Sequence, residues 1–376
     1  MHVFYPYNEI LPKKTAHDVY IFQECAAFAE SGIKTTLLIG KGSKSKNELL
    51  LHYLPKALEN KDLLEIDSLP IVRKNNCLNL SWNYPFFYFT QRAILKKLPQ
   101  VVFLSVFKQG RYHLKRKVAG VFYVYEVHEL SYYPGRTFSK RAAQELEMLA
   151  CADLVSVTTE QLKNILIAPP YSLQVPIEVI PLAVHSKKLP DNNVESSFLR
   201  LCYVGQLYEA QGILHLLHAL VELPLATLKV VGGKEEEVAY YKSLADTLGI
   251  SERVYFAGFH PPTKISELIS DTDIFVAPFT ASGKMPFVAH TKLMEYREWK
   301  RAMLVPDLPV VREHFNEADG VVFYEPGSTK SLVSSVSPYM QKSHLKQLQM
   351  MAMQRQEIFS WKKRAERYKQ IIIDKK

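Results

Sequence analysis

LCYVGQLYEAQGILHLLHALVELPLATLKVVGG, residues 201–233, is the stretch on which the fold turns. An apolar run, Leu201–Val204, stops at Gly205. Gly212 then opens a run of helical period, and a second apolar run, Thr227–Val231, stops at Gly232 and Gly233. A strand, a helix and a strand with short joints form a parallel pair, because only a crossover helix returns the chain to the same edge. Strands that end in glycine let backbone N–H groups come close to an anion.

The same alternation runs outward in both directions. Ahead of this stretch, strands are expected at His2–Tyr5, Thr35–Ile39, Val101–Ser105, Val121–Val127, Leu154–Val157 and Glu178–Pro181. Beyond it, strands are expected at Val254–Ala257, Ile274–Ala277, Ala302–Val305 and Val321–Phe323. Between them lie amphipathic segments. In Glu235–Leu248, for example, Val238, Tyr241, Leu244, Ala245 and Leu248 share one face. The polar stretch Ser186–Ser197 interrupts the rhythm and reads as a linker. The expected class is therefore α/β, with two doubly wound Rossmann-like domains over 1–185 and 198–355 and a C-terminal helix over about 358–376. Open sheets of this kind bind ligands at the carboxyl ends of their strands.

Composition excludes whole classes. The chain has 376 residues, enough for two cores, and 47% hydrophobic against 23% charged residues excludes a mostly disordered protein. The start, MHVFYPYNEILPKK, has no basic region ahead of an apolar run, so no secretory signal is expected there. The longest apolar run, near Tyr84–Phe89, is far too short to span a bilayer. Cys25, Cys77, Cys151 and Cys202 fall at no metal-ligand or redox spacing and read as reduced thiols of a cytoplasmic protein. A net charge of +9 points to acidic partners, and nucleotide phosphates, nucleic acid and anionic lipid all qualify. No nucleic-acid-binding module with interleaved aromatics is present in the sequence.

Common cofactor motifs are missing. The first strand runs into YPYNEILPKKTAH, which contains no glycine, so the dinucleotide fingerprint is absent, as are the P-loop, G-x-S-x-G and H-E-x-x-H patterns. Chemistry-bearing groups instead collect where strands end. VYEVHEL (Val124–Leu130) ends a strand at His128, flanked by Glu126 and Glu129. VAPFTASGKMPFVAHTKLMEY (Val276–Tyr296) leads from a strand through a loop into a helix whose Lys292 and Glu295 share a face. A helix start beside glycine-ended strands suits a phosphate, and a carboxylate one turn in can accept both hydroxyls of a ribose. His17 lies in the helix opening after the first strand, a place from which it would contact acceptor or donor.

With these residues in view, the sequence resembles glycosyltransferase family 4, the retaining enzymes of GT-B fold. The family's "viPNGvd" corresponds to VIPLAVH (Val179–His185), and its "VGrl…KG" to VGQLYEAQG (Val204–Gly212). Its "v.f.G" and "aD.fv.PS" correspond to VYFAGF (Val254–Phe259) and DTDIFVAPF (Asp271–Phe279). Its "SPtKlmEYmA.gkPvvasdlPv.rE" corresponds to AHTKLMEYREWKRAMLVPDLPVVRE (Ala289–Glu313), and its "fsW…a.ry" to FSWKKRAERY (Phe359–Tyr368). The resemblance implies that the C-terminal domain holds a nucleotide sugar and the N-terminal domain offers the acceptor, across a cleft. It implies Glu295 on the donor ribose, Gly258 and Phe259 near the base, and Thr291–Lys292 facing the diphosphate. It also implies His128 near the transferred sugar, a structural Asp273, and a tail helix that crosses back to the N-terminal domain.

The sequence departs from the family pattern at defined positions. The first glutamate of Glu-x7-Glu falls on Phe287, as in the "SP-x-K-x-x-EY" subtype. The usual Arg and Lys of the first motif are Gln206 and Gln211, which donate hydrogen bonds without charge. Lys292 and Lys284 are the candidates to supply the missing charge. The expectation is a cytoplasmic, metal-independent hexosyltransferase without a cofactor, taking a UDP-sugar and a saccharide or lipid-linked acceptor. Peripheral contact with anionic membrane through KQGRYHLKRK (Lys108–Lys117) is weighed against a plain solvated helix. A silent sugar-nucleotide-binding relative and a UDP-sugar epimerase are the alternatives.

Overall fold

The computed structural model describes residues 1–13, 15–54, 58–72, 83–185, 189, 196–260, 262–356 and 358–375. Most of the linker reading, and Cys77, lie outside the described residues. The chain divides into one unit of Met1–Leu182 with Ser360–Lys376, and a second of Ala183–Phe359.

The first unit is built on seven parallel strands. They are β1 (His2–Pro6), β2 (Lys34–Gly40), β3 (Leu64–Leu69), β4 (Val101–Leu104), β5 (Phe122–Val127), β6 (Leu154–Val157) and β7 (Ile177–Val179). Their order is β3-β2-β1-β4-β5-β6-β7, so the winding reverses between β1 and β4. Strands β4 and β6 are buried along their whole length, as apolar strands covered on both faces must be. The helix Ala16–Glu30 after β1 starts with a capping box between Thr15 and Asp18, which satisfies N–H groups the helix start would leave open.

Strand β3, LEIDSL, was not among the expected strands. It sits at the sheet edge, where one side needs no partner and little apolar character. It is held by register with β2 and by the Lys34–Glu65 ion pair at 2.8 Å.

The tail helix, Trp361–Lys375, belongs to this first unit. It buries Trp361, Arg364, Ala365, Tyr368, Ile371 and Ile372, a stripe of helical period, while Lys362 and Lys363 stay exposed. The stripe lies on the Ala16–Glu30 helix, with Trp361 against Tyr20 at 5.0 Å and Tyr368 against Phe28 at 5.8 Å between ring centroids.

The second unit is a six-stranded parallel sheet. Its strands are β8 (Leu199–Val204), β9 (Ala226–Val231), β10 (Val254–Gly258), β11 (Ile274–Val276), β12 (Ala302–Pro306) and β13 (Val321–Tyr324). The order β10-β9-β8-β11-β12-β13 reverses between β8 and β11. The helix Glu235–Thr247 contributes Tyr241 and Ala245 to the core, with Val238, Leu244 and Leu248 packed against it. Asp273 locks this sheet: its carboxylate takes the backbone N–H of Arg200 at 2.9 Å and a forked pair of bonds from the same guanidinium at 3.0 and 2.8 Å. Its role is structural. Cys25 and Cys202 are buried free thiols and Cys151 is half-buried. Among the described residues, no helix is long and apolar enough to cross a membrane.

Candidate functional site

In each sheet the strand order reverses at one place, and there adjacent loops diverge to leave a crevice. In the second unit that place is the carboxyl end of β8. Gly205 follows β8, and its N–H donates to Val231 O at 2.9 Å, while Gly232 N–H donates to Gly258 O at 2.8 Å. The three strand ends are thus tied together. Gly232 has φ 115°, and a Cβ there would meet Gly205 O at 2.2 Å. Gly205 has φ 153°, and a Cβ there would lie 2.6 Å from both Cε and Nζ of Lys292. Glycine at these two positions lets the backbones close up and lets the lysine lie across them.

Lys292 belongs to the helix Thr291–Glu298, which follows the loop after β11. The capping position is His290, whose ring makes no capping bond. It stacks on Phe279 at 4.4 Å instead and bonds Met285 O at 2.9 Å. Burial pushes its pKa down to about 4, so it is neutral at ordinary pH. The first-turn N–H groups therefore carry no side-chain cap, the arrangement that attracts a phosphate.

The Lys292 ammonium donates to Tyr203 Oη at 2.7 Å and to Gln211 Oε1 at 2.5 Å. It also lies over the Tyr203 ring at 4.0 Å and the Phe279 ring at 5.2 Å. Both hydrogen-bond acceptors are neutral. Burial pushes the Lys292 pKa down to about 7, with the Glu295 charge pulling the other way.

The structure thus brings together Gly205, Gln211, Lys292 and the backbone carbonyl of Gln206, all around Tyr203. Tyr203 Oη donates to that carbonyl. Gln211 is buried, and its amide donates to Tyr208 Oη. The Gln206 side chain is exposed. Thr291 and Glu295 are exposed on either side of Lys292 along its helix, and Lys284 is exposed on the loop ahead of it. Gly258 joins through Gly232, and Phe259 beyond it is 75% exposed.

The first unit has its own cluster. His128 follows β5, and its Nε2 lies 3.1 Å from Glu126 Oε2. Burial lowers the pKa of this imidazole, but the charge and hydrogen bond of Glu126 outweigh that and the net shift is upward. His17 stands beside it, the two rings edge-on with centroids 6.2 Å apart. Partial burial and the nearness of His128 push the His17 pKa down. Its Nδ1 lies 3.4 Å from Tyr7 Oη, whose own proton goes to Asp18. Nδ1 is therefore the protonated nitrogen of neutral His17, and Nε2 is left as an acceptor. The two neighbouring rings are thus shifted in opposite directions, His128 up and His17 down.

The sequence pointed to both histidines and to Lys292, but not to the groups that hold them. Tyr203 and Tyr208 read only as strand and loop residues, and His290 only as part of a motif. Tyr368 was read only as a buried motif member of the tail helix, and Glu24, Tyr20 and Arg364 gave no signal beyond their place in helices, since their contacts join segments far apart in the chain. The basic stretch Lys108–Lys117 is largely engaged within the first unit. Arg111 bonds Gln144 at 3.1 Å, Lys115 pairs with Glu147 at 3.3 Å, and Lys117 pairs with Asp153.

A family model described as glycosyl transferases group 1 matches residues 186–354. No curated protein sequence matches the chain. Among solved structures, sucrose-phosphate synthase from Thermosynechococcus elongatus has 15% identity and a TM-score of 0.72 over 99% of this chain and 98% of that one. HepE from Anabaena, solved in complex with UDP, has 15% identity and a TM-score of 0.69 over 100% of both chains. The lipopolysaccharide outer core galactosyltransferase WaaB has 14% identity and a TM-score of 0.70, again over 100% of both. The likeness is one of fold, and the fold is GT-B.

Proposed function

We propose that this chain is a retaining, metal-independent glycosyltransferase that moves a hexose from a UDP-sugar to a saccharide, lipid or other acceptor. The observation that carries the reading is Lys292, a cation held between neutral acceptors over Gly205 at the start of an uncapped helix. A departing diphosphate needs positive charge beside it, and Lys292, seated here by neutral partners, takes its full charge as the diphosphate arrives. The choice of UDP draws on HepE, which shares the fold and was solved with UDP and with UDP-glucose. Retention draws on the family resemblance.

In this reading Lys292, the Thr291 helix start, Gly205, Gln206, Gln211 and Lys284 serve the diphosphate. Glu295 accepts the ribose hydroxyls, and Phe259 with Gly258 meets the base. His128 serves the transferred sugar, and His17 the acceptor. Orientation does the rest, since a retaining transfer of this type needs no protein nucleophile.

A cytoplasmic protein lying peripherally on an anionic membrane face fits the +9 charge. The helix Tyr84–Lys97 supports it better than Lys108–Lys117, because Tyr84, Tyr88, Phe89 and Leu95 are exposed beside Arg92 and Lys96.

Titration calorimetry with UDP, GDP, ADP and CDP, on the native chain and on Glu295→Ala, tests the donor site. UDP should bind, and the variant should lose most of that affinity. Failure of every nucleotide to bind would sink the proposal. One second reading has an observation behind it: Gln206 is exposed and uncharged where the resemblance puts arginine. A silent sugar-nucleotide-binding protein would bind UDP yet turn over no UDP-hexose with any acceptor.

A further inference from the structure

His128 is one end of a chain of contacts that passes through the body of the first unit. Its Nε2 meets Glu126 Oε2 at 3.1 Å. The other oxygen, Glu126 Oε1, is held from behind by the tail helix: Arg364 Nη2 and Tyr368 Oη donate to it, the latter at 3.1 Å. Tyr20 Oη lies at 3.5 Å from the same oxygen. Arg364 is fixed in turn by Glu24 at 2.9 Å and by the carbonyls of Ile180 and Pro181 at 2.8 and 2.5 Å. Tyr368 is fixed by Ser156 at 2.9 Å. Glu126 has 1% of its side chain exposed, whereas His128 keeps 27% open.

We infer that Glu126, clamped by Arg364 and Tyr368 of the tail helix, is the positioning residue that holds His128 by Nε2 with Nδ1 turned outward to the substrate. This rests on the assignment of His128 to the transferred sugar.

The two carboxylates around the single guanidinium are not equivalent: burial and Glu126 push the Glu24 carboxyl up to about 7, whereas Arg364 and His128 hold Glu126 low, so Glu126 carries the negative charge that faces His128. The groups facing His128 come from three directions. Glu126 is on its own strand, with Glu129 next to it in the chain. His17, Tyr20 and Glu24 come from the Ala16–Glu30 helix, and Arg364 and Tyr368 from the tail. Of the two histidines only His128 touches a carboxylate, and His17 is tied to a tyrosine hydroxyl instead. His128 keeps 27% of its side chain open, whereas Glu126 behind it has 1% exposed. The carboxylate also fixes the ring orientation, because Nε2–H is committed to Oε2 and the remaining nitrogen must face away. The tail helix is then part of the site, and not only a strap across the fold.

Imidazole NMR of the full chain tests this, with UDP calorimetry as the check on folding. In Glu126→Gln, His128 should titrate at lower pH than in the native chain, while UDP binding persists. Turnover of UDP-glucose should show its alkaline fall at correspondingly lower pH, about tenfold for each unit of displacement. Glu24→Gln, on the far side of Arg364, is the matched control, because it makes a similar buried change without touching Nε2. It should displace the titration less. If Glu126→Gln does not fold, Glu126→Asp draws the carboxylate back by one methylene and should lower the titration in the same direction. An unchanged His128 titration in the Glu126 variants, or an equal displacement in Glu24→Gln, overturns the inference. A displaced titration with an unmoved turnover profile leaves the clamp standing and removes His128 from the sugar.

Discussion

The ammonium of Lys292 donates to the side-chain oxygen of Gln211 at 2.5 Å, across 81 residues of sequence. This contact explains an otherwise puzzling amide. A lysine at 211 would face a second ammonium, whereas glutamine offers an oxygen to the cation and turns its NH2 toward Tyr208. We expect Gln211→Lys to gain no UDP affinity and to lower stability by roughly 1–3 kcal/mol, the cost of a buried polar group facing the wrong partner. We expect Lys292→Met to weaken UDP binding by about ten- to a hundredfold, as loss of a charge-assisted hydrogen bond implies. Calorimetry and urea unfolding read both. Tighter binding in Gln211→Lys would mean that Lys292 does not serve the diphosphate.

The depressed pKa of Lys292 makes a second expectation, with a definite sign. Free Lys292 titrates at about 7 because burial penalises its charge. An arriving diphosphate favours the charged form and raises the pKa. Binding above neutrality must therefore draw a proton from solvent, and UDP affinity must fall as pH rises through and beyond 7. Calorimetry at about pH 8, in buffers of different ionisation enthalpy, should show net proton uptake that disappears in Lys292→Met. Equal uptake in both proteins would assign the proton to another group.

Gly205 is predicted to be irreplaceable for a local reason. A Cβ at this φ of 153° would press on Cε and Nζ of Lys292 at 2.6 Å. Alanine must move the lysine off its seat and strain the backbone, by roughly 1–3 kcal/mol. Gly205→Ala should therefore lose about as much UDP affinity as Lys292→Met, and adding Lys292→Met to it should cost little more. Additive losses would show that the two positions act separately.

The parts of this molecule that the sequence made legible are those governed by local pattern. Buried parallel strands are continuous apolar runs, so β4, β6 and β12 were readable, and glycines marked the ends of β8 and β9. Strand β3 was hidden, because LEIDSL owes its state to pairing with β2 rather than to its own composition. The site divides in the same way. Gly205, Gln211 and Lys292 were each visible as motif members, but the tyrosine that joins them was not. Period-two alternation gives the face on which Tyr203 lies and says nothing of where its hydroxyl ends. The Glu126–Arg364 contact spans 238 residues, and a helical stripe cannot announce that one of its buried members is a cation.

That buried cation supports the last prediction. Arg364 has 2% of its side chain exposed and answers two carboxylates that burial leaves with no access to water. Replacing it with methionine keeps the stem packed against Tyr20 and Tyr368 but strands Glu24 and Glu126 together. Removal of one partner from a buried pair costs roughly 3–5 kcal/mol. The sign of its pH dependence follows from the stranded acids. Already in the native chain burial and Glu126 push the Glu24 carboxyl up to about 7, against the pull of Arg364. Without the guanidinium Glu24 is held further above its unfolded value, and Glu126, which Arg364 now holds low, moves up as well. A raised carboxyl pKa means that the folded state binds more protons, so stability is lost as pH rises through the folded value and regained in acid. Urea unfolding of Arg364→Met should thus show a deficit that is small in mild acid and grows as pH rises through and beyond neutrality. A deficit of the same size at every pH would mean that Arg364 matters for its packing alone.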